Sequence, residues 1–284
     1  MDVTLAKTFM AIAETGSFKD AADRLHVTQS TISMRVKALE DALGRRLFER
    51  SKAGARLTPA GEQFQRHAIA IVRVWHHAQL EVSLAQHHTD HLAVGAQISL
   101  WEGFLLNWVA WLRTQRSDLA ITATFAPSQV LMDRLAEGTI DLAIVYRAQA
   151  RPGIEVEHLM DDELVLVSSE ETASLKSIGS YVFVNWGPEF SADHADTYPN
   201  LSNTGLQLDL GAVGISYLLN TESTGYFPLR IVEPLISEKR LHLVKRARRF
   251  VYPVYAAYPE ERDAEAYAPI LDGLREMAAA TAGK

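Results

Sequence analysis

Residues 17–61 read SFKDAADRLHVTQSTISMRVKALEDALGRRLFERSKAGARLTPAG. Their pattern predicts a short helix over 18–25, a turn, a second helix that Thr28 caps and Gly44 ends, and then a hairpin over 47–58. An amphipathic helix over 3–14 is expected to pack beneath them. The apolar residues of the second helix recur at intervals of four, three and four, which predicts one buried stripe: Ile32, Val36, Leu39 and Leu43.

The opposite face of the second helix is polar near its N-terminus. Gln29 stands at the tip, Ser30, Met34 and Lys37 point away from the stripe, and Ser33 flanks them. Amides and hydroxyls placed in this way can read base edges in a DNA major groove, and a methionine can contact a thymine methyl group. A helix-turn-helix used only for protein contact is the alternative.

The charge of this region also favours DNA. The segment 24–56 carries eight Lys or Arg against three Asp or Glu, a balance of +5. Such a concentration of cations suits contacts with phosphates. Arg50, Lys52 and Arg56 lie near the tip of the hairpin, which predicts a wing over a minor groove.

The N-terminal sixty residues resemble the LysR-type transcriptional regulators. The resemblance rests on the following residues: Phe9, Ala13-Glu14, Gly16-Ser17-Phe18, Ala21-Ala22, Leu25, Val27-Thr28-Gln29-Ser30, Ser33, Leu39-Glu40, Leu43-Gly44, Leu47-Phe48, Arg50, Leu57-Thr58 and Ala60-Gly61. It implies a winged helix-turn-helix with base or phosphate contacts at Thr28, Gln29, Ser30, Thr31 and Ser33, and Arg50 in the wing. One departure is that many members carry arginine at the position of Met34, whereas here Arg35 follows it.

Pattern and resemblance together give one set of predicted DNA contacts: Thr28, Gln29, Ser30, Thr31, Ser33, Met34, Arg35, Lys37, Arg50, Lys52 and Arg56. The expected partner is double-stranded DNA near promoters, and RNA polymerase is a further candidate partner.

Composition excludes several classes of protein. The chain has 284 residues, enough for two domains, and no cysteine, so disulfides, thiolate metal sites and cysteine nucleophiles are ruled out. Neither a signal sequence nor a run of eighteen apolar residues occurs, which predicts a cytoplasmic protein without a membrane partner. Residues 1–90 carry 12 basic and 10 acidic side chains, against 16 and 25 in the remainder, so DNA binding should be confined to the N-terminal part.

A long helix is predicted to start at Thr58-Pro59, with Thr58 as its N-cap. Its apolar residues follow a heptad rhythm: Phe64, Ala68, Ile71, Trp75, Ala78, Val82 and Ala85. Three heptads favour pairing with the same helix of a second chain, giving a homodimer or homotetramer that reads an interrupted inverted repeat. The alternative is a helix that lies on its own domain.

The helix is followed by His87-His88-Thr89-Asp90-His91. Adjacent histidines point in different directions and the spacing does not match a metal site, so we predict a polar hinge and no bound metal or cofactor.

From residue 90 onward, strand and helix patterns alternate, which predicts a mostly parallel, doubly wound sheet. One helix is expected over 100–116, another over 205–219 and a closing helix over 265–280. Strands are expected over 154–160 and 163–168, with Asp161-Asp162-Glu163 as a solvated junction between lobes.

The layout of this part resembles the periplasmic-binding-protein-like effector domain of the LysR-type regulators. We therefore expect an α/β protein with a winged helix-turn-helix domain at 1–58 (helix-turn-helix about 18–37), a linker helix at 59–88 and an effector domain at 89–284. Lobe I should span about 91–160 and 265–284, and lobe II about 161–264.

Ligands of open α/β sheets lie beyond the carboxyl ends of strands. The predicted effector contacts are Gln97, Ser99, Leu100, Trp101, Ser128, Gln129, Tyr146, Trp186, Thr204 and Phe227. The resemblance implies that Ser99 and Ser128 meet an effector carboxylate, although Ser99 could simply cap a helix and the large aromatics could be core. The aromatic side chains expected around this site could bind a flat apolar molecule or a cation.

Motifs of common enzyme classes are missing from the sequence, among them the nucleophile elbow, the Walker loop, HExxH and the dinucleotide glycine fingerprint. The leading hypothesis is thus a regulator and not an enzyme. Two other classes stay open: an α/β binding protein or enzyme whose head serves assembly, and an architectural DNA-binding protein without an effector.

Overall fold

The structure is a computed structural model that describes residues 2–51, 54–83, 90–175, 178–201, 205–209, 211–262 and 264–282. Its N-terminal part, here called the head, contains α1 (Val3–Thr15), α2 (Phe18–Arg24), α3 (Gln29–Leu43), β1 (Phe48–Ser51) and β2 (Gly54–Leu57). The linker helix α4 (Pro59–Ser83) follows. No helix of the described residues is long and apolar enough to cross a bilayer.

The predicted limits of α3 are confirmed. The Thr28 hydroxyl accepts a hydrogen bond from the Thr31 amide at 3.2 Å, and Gly44 ends the helix in the left-handed conformation at φ 65°. Ile32, Val36 and Leu39 are buried in the head. The prediction for Leu43 is wrong, since this side chain is 43% exposed: the last turn of α3 extends beyond the head core.

The hairpin β1–β2 is held against α3 and α4 by polar backbone contacts. One Glu40 carboxylate oxygen accepts hydrogen bonds from the Leu47 and Phe48 amides at 2.7 and 3.3 Å. Gly61, in the first turn of α4, lies so close to the Leu47 carbonyl that an added Cβ would be 2.2 Å from it. The wing is therefore fixed to the helices at its base.

The linker helix does not keep its whole heptad seam free for a second chain. Phe64 and Ala68 are buried in the head core, where the Phe64 ring packs edge-on against Phe9 at 5.0 Å. Ile71 is partly buried there too. The predicted seam is thus wrong for its first half, because the head supplies a larger apolar surface than expected.

The second half of that seam is open. Trp75 is 47% and Val82 89% exposed, and Ala78 is half-buried. Ala85 lies outside the described residues. The helix therefore packs on its own domain at one end and leaves apolar side chains accessible at the other.

The rest of the chain forms a two-lobed α/β domain. Its strands are β3 (Asp90–Ala96), β4 (Leu119–Phe125), β5 (Leu142–Val145), β6 (Ile154–Ser168), β7 (Ser180–Tyr181), β8 (Phe183–Val184), β9 (Gln207–Leu208), β10 (Ser223–Pro228), β11 (His242–Leu243) and β12 (Phe250–Pro259). Its helices are α5 (Ile98–Leu100), α6 (Leu106–Gln115), α7 (Ser128–Ala136), α8 (Pro188–Thr197), α9 (Ile215–Asn220), α10 (Leu229–Ser237) and α11 (Ala264–Ala282).

The main sheet has eight strands in the order β4-β3-β5-β12-β6-β10-β7, with β11 beside β6. Strands β3, β4 and β5 are parallel, as predicted, but β12 and β6 run antiparallel to their neighbours. The sheet is mixed because β6 and β12 cross between the lobes in opposite directions. Separate apolar cores lie on the two sides of this crossing.

Three predictions in this domain are wrong. Residues 154–168 form one continuous strand, in which Asp162 is buried and not a solvated junction. The helix over 100–116 is broken at Gly103, whose φ is +72°. The helix over 205–219 is replaced by β9, a turn of 3-10 helix and the short α9, because Val213 and Tyr217 face solvent.

The head rests on lobe I. The Arg24 guanidinium forms ion pairs with Glu14 of the head, at 2.7 Å, and with Glu137 at the end of α7. Gly138 packs against the backbone of Arg73 in the linker helix. The pKa of the Glu14 carboxyl is raised because this contact partly buries it.

Candidate DNA-binding surface and effector cleft

The outer face of α3 carries most of the predicted DNA contacts. Gln29, Ser30 and Lys37 are exposed, Ser33 is half-buried beside them, and Met34 is 66% exposed. The exposed methionine among these polar side chains is placed where it could contact a base methyl group.

Two threonines and an arginine of the set have other neighbours. The Thr28 hydroxyl lies 2.8 Å from both the Ser30 and the Thr31 hydroxyls, at the N-terminus of α3. Arg35 is half-buried and donates a long hydrogen bond of 3.5 Å to Thr8 of α1. Its guanidinium thus lies on the flank towards α1, away from the face that carries Met34.

The wing contributes Arg56, which is exposed on β2. Arg50 pairs with Ala55 across the hairpin backbone, and Lys52 lies outside the described residues. Arg45 and Arg46 were not among the predicted DNA contacts and entered only the charge balance of the segment. Both are exposed beside Lys37, around a groove between α3 and the wing. They enlarge the cationic surface on the same side of the head.

A cleft of about 610 Å³ lies between the lobes of the effector domain. Five of the predicted effector residues line it: Gln97, Ser128, Gln129, Tyr146 and Trp186. The carboxyl ends of β3 and β5 and the loop before α7 supply the lobe I side, as expected for an open α/β sheet. The start of α8 and strand β12 supply the opposite side.

Gln97 organises the lobe I side of the cleft. Its Oε1 accepts hydrogen bonds from the Ser128 hydroxyl at 2.6 Å and from the Tyr146 amide at 2.9 Å. The Gln129 amide is exposed and donates to Asp133 at 3.1 Å. The Ser128 hydroxyl is therefore already engaged by the protein.

Four predicted effector residues lie outside the cleft. Leu100 and Phe227 are fully buried in the cores of lobe I and lobe II, and Trp101 packs against the lobe I core. Ser99 is buried and its hydroxyl donates to the Tyr146 hydroxyl at 3.2 Å. These residues were predicted from strand ends, where a side chain can turn into the apolar core of its lobe as well as into the cleft. Thr204 lies outside the described residues.

A buried charge pair that the sequence did not suggest joins the lobes. Arg230 of α10 donates from Nε to Asp162 of β6 at 3.1 Å. Its Nη2 donates to the Ser99 carbonyl at 2.5 Å, and its Nη1 donates to the Glu102 carbonyl. The Tyr146 hydroxyl donates to the same Asp162 oxygen at 2.7 Å, and burial, then the Asp162 charge, raises the pKa of this phenol.

The histidines after the linker helix are only partly described, since 87–89 lie outside the described residues. His91 is buried in β3 with Nε2 2.9 Å from the Thr122 hydroxyl. Within the described ranges no group of three or more His, Cys, Asp or Glu side chains is placed to hold a metal ion.

Comparison with known proteins agrees with this arrangement of head and cleft. Residues 3–62 match the family described as "Bacterial regulatory helix-turn-helix protein, lysR family", and residues 85–279 match the "LysR substrate binding domain". The chain therefore belongs to the LysR family of transcriptional regulators, with a helix-turn-helix DNA-binding domain and an effector-binding domain.

Among its relatives are proteins named HTH-type transcriptional regulator HdfR. The chain is 31% identical to the one from Salmonella schwarzengrund over 97% of its own length and 98% of the other. It is 41% identical to the one from Yersinia enterocolitica over 51% of its own length and 49% of the other. The fold resembles that of full-length LysG from Corynebacterium glutamicum with bound effector Arg, at a TM-score of 0.61 and 20% identity, covering 99% of both chains.

Proposed function

We propose that this regulator binds an interrupted inverted repeat near promoters as a homodimer or homotetramer, and that a small molecule in the interlobe cleft controls it. The observation that carries this proposal is the exposed polar face of α3, with Met34 at its centre and cations on both sides. Amides, hydroxyls and a methionine on an exposed helix face complement the base edges of the major groove.

The two halves of the molecule have opposite charge, which supports a division of labour. Residues 1–90 carry a small excess of basic side chains, whereas the remainder is strongly acidic. The acidic effector domain would be repelled by phosphates, so contact is limited to the heads. Two heads joined through the exposed end of α4 would reach two half-sites, and a change in lobe closure would alter their separation.

The remaining assignments follow from this role. A protein that acts on bacterial promoters works in the cytoplasm, and RNA polymerase is its natural partner there. We assign no catalytic residues to the chain.

The test uses the full chain, immobilised to select fragments of genomic DNA, followed by gel-shift titration of the selected site. Gln29→Ala should reduce the ratio of specific to non-specific affinity by about tenfold, because one good pair of hydrogen bonds to a base is worth about 1–3 kcal/mol. Arg56→Ala should weaken binding to all sequences and flatten the salt dependence by about one unit per head.

Arg240→Ala is the matched control, since Arg240 is an exposed cation of lobe II far from the head. It should leave affinity and salt slope unchanged. Selection without any common sequence, or equal effects of Arg56→Ala and Arg240→Ala, would contradict the proposal.

A further inference from the structure

The charged side chains around the effector cleft do not balance. Arg230 is neutralised by Asp162, and Arg147 forms an ion pair with Glu189 at 2.6 Å. Asp193, an exposed residue of α8, lines the same cleft and has no ion-pair or hydrogen-bond partner for its carboxylate among the residues that the structure describes. The described wall of the cleft thus carries one uncompensated negative charge.

Two groups near the cleft that could receive a carboxylate are already occupied. Arg230 directs its two Nη atoms at the Ser99 and Glu102 carbonyls and is buried behind Tyr146. The Ser128 hydroxyl donates to Gln97. A carboxylate placed against Arg230 or Ser128 would therefore have to displace existing hydrogen bonds, and it would also be repelled by the charge of Asp193.

A second feature of the cleft is a buried hydroxyl group without a partner. The Tyr252 hydroxyl lies in the cleft wall, is buried, and has no hydrogen-bond partner among the described residues. Burial raises the pKa of this phenol, and the nearby carboxylates of Asp193 and Glu189 raise it further. A phenol hydroxyl can accept or donate a hydrogen bond, so the carboxylate beside it decides the charge. An ammonium group can donate to both the Tyr252 hydroxyl and the Asp193 carboxylate.

The rest of the lining suits the body of an organic cation. Tyr146 and Tyr252 pack edge-on with ring centroids 6.1 Å apart, and Trp186 and Tyr255 also line the cleft. Aromatic rings attract cations through their faces and provide apolar surface for carbon chains.

From these observations we propose that the effector of this regulator is a cationic amine, whose ammonium group binds between Asp193 and the Tyr252 hydroxyl. The inference rests on the proposed function, because it takes the interlobe cleft as the effector site. It replaces the carboxylate that the sequence resemblance implied at Ser99 and Ser128.

The experiment measures binding of matched probes to the full chain by isothermal titration calorimetry at low salt. Two pairs differ mainly in charge: phenethylamine against 3-phenylpropanoate, and hexylamine against heptanoate. We expect each amine to bind more tightly than its paired carboxylate. Asp193→Asn should weaken amine binding about fivefold or more, because it removes the uncompensated charge.

Asp196→Asn is the matched control, since Asp196 lies on the same helix but does not line the cleft. It should leave amine affinity unchanged. Tighter binding of the carboxylates, no binding of any probe, or equal weakening by the two substitutions would overturn the inference. DNA binding by the unliganded chain is measured separately, so its failure would count against the proposed function and not against the charge of the ligand.

Discussion

At the scale of single residues, the most unusual side chain is His194 of α8. It is fully buried in lobe II, where its ring stacks on Tyr181 with centroids 5.5 Å apart. Its Nε2 lies 2.7 Å from the Tyr181 hydroxyl. Burial disfavours the charged imidazolium and lowers the pKa of His194 below its ordinary value of 6.5. The folded protein therefore favours the neutral imidazole.

This histidine makes stability depend on pH. Between pH 6.5 and the lower pKa of the folded protein, the unfolded chain binds more protons at His194 than the folded chain does. The free energy of unfolding is therefore unaffected by this group well above pH 6.5 and decreases as the pH falls through that window. We expect His194→Gln, which cannot titrate, to lower the difference in unfolding free energy between pH 8 and pH 5.5, measured by urea titration.

The control for this prediction is Ser191→Ala, on the same helix, which changes no titratable group. It should preserve the pH dependence of the parent. An unchanged pH dependence in His194→Gln would contradict the assignment of the effect to this buried ring.

At the scale of elements, the two ends of the linker helix α4 have different surroundings. Phe64 and Ala68 complete the head core, whereas Trp75 and Val82 remain exposed near the other end. Folding of the head and association of chains should therefore be separable by substitutions in one helix.

We expect Phe64→Ala to destabilise the head by about 3–5 kcal/mol, because it leaves a cavity beside Phe9. Trp75→Ala should instead raise the dissociation constant of the oligomer in sedimentation experiments, with little effect on unfolding. If Trp75→Ala left the association constant unchanged, the exposed part of α4 would not be the dimer contact.

At the scale of the whole molecule, the two lobes are held together by the crossing strands β6 and β12 and by the Arg230–Asp162 pair. Both charged side chains are buried, and Arg230 also contacts lobe I through the Ser99 and Glu102 carbonyls. Removal of one partner would leave a buried charge without compensation. The buried pair therefore helps to fix the position of one lobe relative to the other.

We expect Arg230→Met to destabilise the effector domain by about 3–5 kcal/mol in urea unfolding. The double variant Arg230→Met/Asp162→Asn should recover part of this loss, because neither charge remains. Arg147→Met, which breaks the exposed pair with Glu189, should cost about 0–1 kcal/mol. Equal losses in Arg230→Met and Arg147→Met would show that burial of the pair has no role.

The head could be predicted from the sequence in most of its detail. The capping hydroxyl of Thr28, the glycine that ends α3 and the apolar interval of four and three are short-range features, and each is visible within a few residues of chain. The first three parallel strands of lobe I were also predictable from their apolar runs. Lobe II was predicted poorly: α8 and α10 were missed.

The sequence by itself determined the helix-turn-helix, its exposed polar face, the wing and the alternation of strands and helices, because these depend on local caps and periodicity. Only the tertiary structure decided which part of the linker seam is buried and that Asp162 meets Arg230 across 68 residues. It also decided that the Asp193 carboxylate in the cleft has no partner among the residues that the structure describes. Folding decides whether a charged side chain finds a partner that is distant in the sequence. The reason is that its neighbours in space come from separate segments of the chain, which local sequence patterns do not relate to one another.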